Sequence, residues 1–377
     1  MKYNKENILP NLIKAAIISI LGLLIAVTSL HRLLNLLDFT QSSGGGDFQM
    51  SDVYNRVSDS RSVRTLNSDI LIAPLDGYGR SEIAEIITAV NSLGPKVMGL
   101  DIVFLEEYEG DQLLIDAIER CPNLVLPLAL DEEFGELTGS YFYASISNEH
   151  FGVINLAANA INQSVRTHKL VYPYDNQQIN SFATEITSIA APEIYNQIEK
   201  NKFSSNIIAY PSMEFAIIDV EDLLESPEAY RDMIANKIIL LGDITNTSDY
   251  HLTPINSGMP GILIHAHTLD TIISGKEIRM SSQWINWMIA FVICFIFMCV
   301  KLFASERSQD FGQLIVRILQ LVLLYLFFTW GCNIFMNKLV YVDFSPVLLM
   351  LTIALLVCDL WEGFVYLFNV IFRKDKI

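Results

Sequence analysis

The sequence predicts a membrane protein: an α/β extracytoplasmic domain, with a mostly parallel sheet and flanking helices, plus four transmembrane α-helices. Three observations predict it. Apolar residues make up 51% of the 377 positions and charged residues only 18%, a balance that excludes a disordered polar chain and an ordinary soluble globule. Four apolar runs approach the roughly 20 residues that cross a bilayer. Between the first and the other three lies a strongly acidic block: residues 31–280 hold 15 Lys and Arg against 35 Asp and Glu, a net of −20, while the flanks carry +3. Nucleic acid is excluded as a partner of this block, because binding it needs a basic face.

The first apolar run, 12–30, reads as an uncleaved anchor, since it is longer than a signal-peptide core and continues apolar to Leu37. The others cover 284–303, 314–336 and 340–360. Lys2, Lys5 and Lys14 precede the first span, Arg307 sits between the second and third, and Arg373, Lys374 and Lys376 follow the fourth. Basic residues favour the cytoplasmic side. All of them share that side only with four spans, which places residues 1–11 and 361–377 in the cytoplasm and 31–282 outside. Trp284, Trp287, Trp330, Tyr341 and Trp361 fall near span ends, as an aromatic belt requires. Cys294, Cys299, Cys332 and Cys358 lie within spans, so Cys121 alone in the block excludes an internal disulfide there.

Within the block the apolar periodicity alternates. Asp69 to Leu75 reads as a strand ending at Asp76-Gly77. Ile83, Ile86, Ile87 and Val90 recur at helical spacing after Ser81, a candidate cap. Val97 to Phe104 reads as a strand, Asp111 to Arg120 as an amphipathic helix, and Leu124 to Leu130 as a third strand. This βαβαβ order argues a parallel sheet with helices on its faces. Strands are expected at 151–156, 168–174 and 207–210, and a helix over 182–198 broken near Pro192. Ile217, Val220, Leu223 and Leu224 suggest a short helix. Lys237 to Gly242 reads as the most buried strand, and Gly261 to Ile273 as a helix leading to the membrane. Gly44 to Gly46 mark a flexible loop over 41–50.

Three stretches carry a resemblance. Residues 97–104 read VMGLDIVF; 237–242 read KIILLG, followed by Asp249 and Thr253-Pro254; and 259–265 read MPGILIH, followed by Ala266. With one span before and three after, the series resembles the second type of CHASE domain (cyclases/histidine kinases associated sensory extracellular domain). The resemblance covers about Leu37 to Leu360. It implies an extracytoplasmic sensor module, by family habit joined to cytoplasmic kinases, cyclases or other output domains, and a homodimer. The chain departs from the family pattern in three places. Gly77-Tyr78-Gly79-Arg80 replaces a Trp-Pro-Trp stretch. An Asp-Gly-x-x-Arg stretch is reduced to Gln163-Ser164-Val165-Arg166. Only 17 residues follow Leu360, so no output domain is expected in this chain.

Asp76, Asp101 and Asp243 sit at or near the ends of three strand candidates, at the rim where open α/β sheets bind ligands. With Asp249 and His265 they form the expected ligand-binding set, suited to a cation or an amine; the bland alternative is that they close turns and cap helices. Asp101, inside an apolar run, is expected to be buried and paired. His265 and His267 at i, i+2 on a helix face different sides, so no metal site is expected despite His251 nearby; His265 instead packs near Thr253-Pro254. Phosphate-loop and Gly-x-Ser-x-Gly motifs are absent, so neither a cofactor nor a catalytic residue is expected. Arg317 with Gln320, and Asp359 with Glu362, are polar residues one turn apart in or beside apolar helices. Arg317, Asp359 and Glu362 are the candidates for signal relay or partner contact, the two acids pairing with Arg317 or Lys301.

These readings converge on a multi-pass sensor module of a bacterial inner membrane. Its periplasmic domain registers an unknown small ligand or ion, and a separate cytoplasmic output protein docks at Glu306 to Gly312 or the tail. A non-sensing membrane scaffold shares the same sequence features. An external hydrolase using the rim carboxylates is the third reading.

Overall fold

The computed structural model describes residues 8–27, 50–61, 63–131, 133, 135–156, 164–198, 205–210, 213–307 and 309–372. The Gly44–Gly46 loop, Gln163, and the terminal Lys2, Lys5, Arg373, Lys374 and Lys376 lie outside them. The chain divides into two compact units: residues up to Tyr54 together with those from Met280 onward, and Asn55–Arg279.

In chain order, α1 (Ile8–Val27) and α2 (Met50–Arg61) lead into β1 (Thr65–Pro74), α3 (Arg80–Ser92), β2 (Val97–Leu100), α4 (Asp111–Glu119) and β3 (Leu124–Asp131). Short strands follow: β4 (Glu136–Thr138), β5 (Phe151–Val153), β6 (Thr167–Lys169), β7 (Val171–Tyr174) and β8 (Gln177–Asn180). After α5 (Phe182–Ala190) and α6 (Pro192–Ile198) come β9 (Ser205–Ile207), β10 (Met213–Ile217), α7 (Val220–Glu225), α8 (Arg231–Ile234) and β11 (Ile238–Gly242). A small pair, β12 (Tyr250–His251) and β13 (Met259–Pro260), precedes α9 (Gly261–Ile273). The chain ends in α10 (Gln283–Arg307), α11 (Gln309–Lys338) and α12 (Ser345–Phe372).

The main sheet of the Asn55–Arg279 unit runs β10-β1-β11-β2-β3, every neighbour parallel. β5 extends it in parallel from β3, and β4 pairs with β3 antiparallel. The period-two alternation of strand side chains sends β11 residues to both faces. Ile239 and Leu241 join α3 and α4 in one core with Ile86, Ile87, Leu114 and Ile118. Ile238 and Leu240 join α5 and α9 in the other with Phe182, Ile186, Ile262 and Leu269. A sheet covered on both faces needs continuous apolar strands, which is why 70–73 and 238–242 are apolar without a break.

The structure corrects several local expectations. Helix α3 starts one residue before Ser81: Gly79 is its N-cap, and Glu82 accepts the Gly79 N–H at 2.6 Å. The expected strand 168–174 is two strands, β6 pairing with β9 and β7 with β8, because Leu170 turns into the core between them. β7 and β8 form a hairpin around Asp175-Asn176, both with positive φ (42° and 62°), the geometry of a two-residue loop that these residue types tolerate. β10, an edge strand of mixed polarity, has no clean alternation and went unread. The short-helix expectation from Ile217 holds from Val220 onward, while Ile217 itself ends β10.

In the other unit, the apolar stretches Ile8–Val27, Gln283–Ala304, Val316–Lys338 and Ser345–Phe364 are each long and apolar enough to cross a membrane. Small or slim side chains (Ala15, Ala290, Cys294, Ala354 and Cys358) are buried between the helices, as close helix packing in lipid favours. Lys301 Nζ on α10 bonds Asp359 Oδ1 on α12 at 2.9 Å, and Lys14 Nζ on α1 lies 3.8 Å from Glu362 Oε1 on α12. Of the expected pairings, Lys301–Asp359 is present. Arg317 instead reaches Gln320 on its own helix, at 3.4 Å. Tyr54 sits in an aromatic cage of Phe328, Phe335, Tyr341 and Phe344, with ring centroids 5.4–6.3 Å away.

Gly152 on β5 lies against the start of α5: a Cβ there would stand 2.5 Å from Phe182 Cα and 3.0 Å from its nitrogen. Backbone atoms cannot swing aside. Gly152→Ala is therefore expected to lower stability by about 1–3 kcal/mol, read as a fall in the melting temperature of the full-length protein.

Candidate functional site at the carboxyl ends of the strands

The candidate rim residues follow three adjacent strands. Asp76 comes two residues after β1, Asp243 immediately after β11, and Asp101 immediately after β2. The Asp101 N–H still bonds Leu241 O at 2.8 Å, so strand pairing carries it to the rim, where its side chain is half-buried. The loop after β11 brings Asp249 to the same edge.

These carboxyls divide by what satisfies them. Asp76 accepts from the Ile244 N–H at 2.9 Å, from the Thr245 N–H at 2.7 Å and from the Thr245 hydroxyl at 2.6 Å. Partial burial works against its charge, yet the bonds from Thr245 and Ile244 hold it below the usual carboxylate range. Asp76 thus closes the β11 loop, the bland alternative for this residue. Asp249 accepts the Gly261 N–H at 3.1 Å with Oδ2 and contacts His251 Nε2 at 3.2 Å with Oδ1. It caps the amino end of α9, where the helix dipole favours a carboxylate. A Cβ at Gly261 would meet that carboxylate at 2.6 Å, so a larger residue there would push the Asp249 side chain off the helix end.

Asp101 and Asp243 differ. Asp101 is pushed up to about 7, first by burial, then by the charges of Asp249 and Asp243. The pairing expected for it is therefore replaced by carboxylate neighbours. Asp243 is also raised, by burial and by Asp76, with a hydrogen bond from Asn246 acting the other way. The two form a spot on the rim that is short of positive charge. Among the described residues, no group of three or more His, Cys, Asp or Glu is arranged to hold a metal ion.

His265 stacks edge-on to Phe182 at 5.2 Å and meets the Ile154 backbone; burial lowers it to about 4. Thr253, in the loop expected beside it, bonds Asn256 O at 2.8 Å through its N–H. His267 faces another side of α9, between Tyr210 and Phe215 at 5.2 and 5.0 Å. Both rings are neutral core residues.

A second rim cluster was not read from the sequence. Arg80, at the start of α3, pairs with Asp111 at the start of α4 and donates to Glu106 O at 2.6 Å. Tyr141 donates to Asp111 at 2.5 Å. Burial disfavours the Asp111 charge, but Tyr141, Tyr108 and Arg80 outweigh it and hold the carboxyl low. The available signal was the Arg80 that closes the altered Gly77–Arg80 segment. His168 and Glu277 were also missed: Nε2 of the buried imidazole lies 3.6 Å from Glu277 Oε1, which accepts from Asn206 at 3.0 Å.

A mostly parallel α/β domain set in a chain with four membrane-length helices defines the class, a multi-pass membrane protein. The CHASE2 domain model matches residues 58–300, well over half of the chain, and the chain belongs to that family. CHASE2 is an extracytoplasmic sensory domain family rather than an enzymatic one. No curated protein and no solved structure matches the chain.

The raised value of Asp101 fixes a sign. Protonated more readily folded than unfolded, it costs stability as pH rises from the ordinary carboxylate value to about 7. Asp101→Asn is therefore expected to melt above wild type at about pH 8, with the difference vanishing below about pH 4. Melting curves across that range check it.

Proposed function

We propose that this chain is the sensing half of a split signalling pair. Its CHASE2 domain takes up a small amine-bearing ligand at Asp101 and Asp243 and relays the change to a separate cytoplasmic protein. The observation that carries the reading is the pair of raised carboxyls, Asp101 and Asp243, beside Asp249, which holds the amino end of α9. A cation at the rim would lower the charge repulsion on Asp101 and redistribute what Asp249 feels. From α9 only nine residues lead to α10, so a shift of α9 has a short covalent path into the membrane helices. An amine suits the rim better than a metal ion, given the absence of a metal-type ligand group among the described residues. A relay of this kind needs two states that the ligand binds unequally.

The basic residues around the first and last spans support an orientation with both ends in the cytoplasm, and the proposed location is a bacterial inner membrane. That places Asp359, Glu362 and Arg317 near the cytoplasmic face, where an output protein would dock. Asp359 and Glu362 also tie α12 to Lys301 and Lys14, so docking there would act directly on the bundle.

Two measurements test this. Spermidine is expected to raise the melting temperature of the purified full-length protein, and Asp101→Asn with Asp243→Asn to abolish the rise; an unchanged rise in the double variant overturns the site. Cross-linking in native membranes, followed by mass spectrometry, is expected to recover a cytoplasmic enzyme or regulator, with a yield that spermidine alters in wild type only. Recovery of envelope proteins alone overturns the split-pair reading.

A further inference from the structure

Helices α1 and α12 leave a groove of about 460 Å³ between them. Ile13, Ile17, Ile18 and Leu21 of α1 and Val357 and Trp361 of α12 line it, together with one charged side chain, Lys14. Pro10 also lines the groove, so Lys14 stands about one helical turn in from that end of the apolar wall. From there to Leu21 the wall continues for seven residues, about 10 Å at the helical rise. The lysine is at the level of Trp361, Glu362 and the Lys301–Asp359 pair, a collar of charged and aromatic groups of the kind found where a bilayer meets water. Among the described residues its carboxylate partner is Glu362, whose Oε1 at 3.8 Å makes a loose ion pair longer than a hydrogen bond, which a phosphate would share. The amino end of α1 and the carboxyl end of α12 therefore lie on one side of the bundle. The chain segments beyond these two ends, 1–7 and 373–377, add five Lys and Arg against two Asp and Glu.

We propose that this groove is a binding site for an anionic phospholipid: one acyl chain lies along Ile17, Ile18 and Leu21, and the phosphate meets Lys14. Charge complementarity selects the occupant. An apolar slot open only to hydrocarbon takes any acyl chain. A slot with an ammonium about a turn from its end, in helices whose adjoining sequence is net basic, favours a headgroup with net negative charge. The site is separate from the rim, and its test does not depend on the ligand or the output partner.

The experiment uses full-length protein stripped of lipid in detergent, then given phosphatidylglycerol or phosphatidylcholine with identical acyl chains. Native mass spectrometry counts retained lipid, and melting temperature reads its effect. Phosphatidylglycerol is expected to be retained preferentially and to raise the melting temperature more. Lys14→Gln is expected to reduce that preference about fivefold, the contribution of one basic residue near an anionic surface. Ile17→Trp, which fills the slot, is expected to lower retention of both lipids. Glu362→Gln removes the carboxylate but keeps Lys14, and is expected to keep or enlarge the preference. Equal retention of the two lipids by wild type, or an undiminished preference in Lys14→Gln, overturns the proposal. Loss of the preference in Glu362→Gln also overturns it, because the effect would then belong to the ion pair.

Discussion

The contact on which the domain turns is a carboxylate placed at the start of a buried helix. Asp249 Oδ2 takes the Gly261 N–H, and α9 behind it is buried at every position except Leu263 and Ile273. A helix so enclosed has nowhere to send its first unpaired N–H groups except to a partner supplied by the fold. Here the partner comes from a loop that itself is closed by Asp76. Two aspartates thus fix where β11 ends and where α9 begins. The charge that caps the helix also bears on Asp101, so the electrostatics of the rim and the placement of α9 are one problem.

The rim shows how a cluster of like charges is tolerated. Asp76 and Asp111 are supplied with donors, from backbone and hydroxyl in one case and from Arg80, Tyr108 and Tyr141 in the other. Asp101 and Asp243 receive less and move towards the protonated form. Groups whose environment pushes them away from their ordinary ionisation collect at functional sites. The same asymmetry separates the well-supplied carboxyls, Asp76 and Asp111, from Asp101 and Asp243, on which the proposed ligand site rests.

The central sheet was legible because its strands are apolar on both faces and separated by amphipathic helices; residues 69–75, 97–104, 124–130 and 237–242 announce themselves, although the second strand ends at Leu100. β10 was not, since an edge strand carrying Glu214 beside Phe215 obeys no single period. The β7–β8 hairpin was hidden by treating 168–174 as one strand, although Asp175-Asn176 carries a turn signal. For the site, chain position alone brought Asp76, Asp101, Asp243 and Asp249 to one edge. What spacing cannot show is donors from distant segments. The Thr245 hydroxyl on Asp76 comes from 169 residues away, and the sequence offers no reason to join them. His265 illustrates the converse: a polar letter in the helix that proves to be an aromatic filler beside Phe182.

The Lys301–Asp359 bond carries a consequence for how the molecule is made. Lys301 is almost wholly enclosed in the bundle, yet the carboxylate that compensates it belongs to the last helix, 58 residues later in the chain. An ammonium enclosed between helices without a partner is costly. During synthesis α10 is therefore expected to keep its lysine end at the aqueous boundary until α12 brings Asp359. α11 is threaded in the interval, and of the four apolar stretches it is the least buried within the bundle. Assembly of the bundle is in this sense a closing step performed by the final helix, rather than four independent insertions.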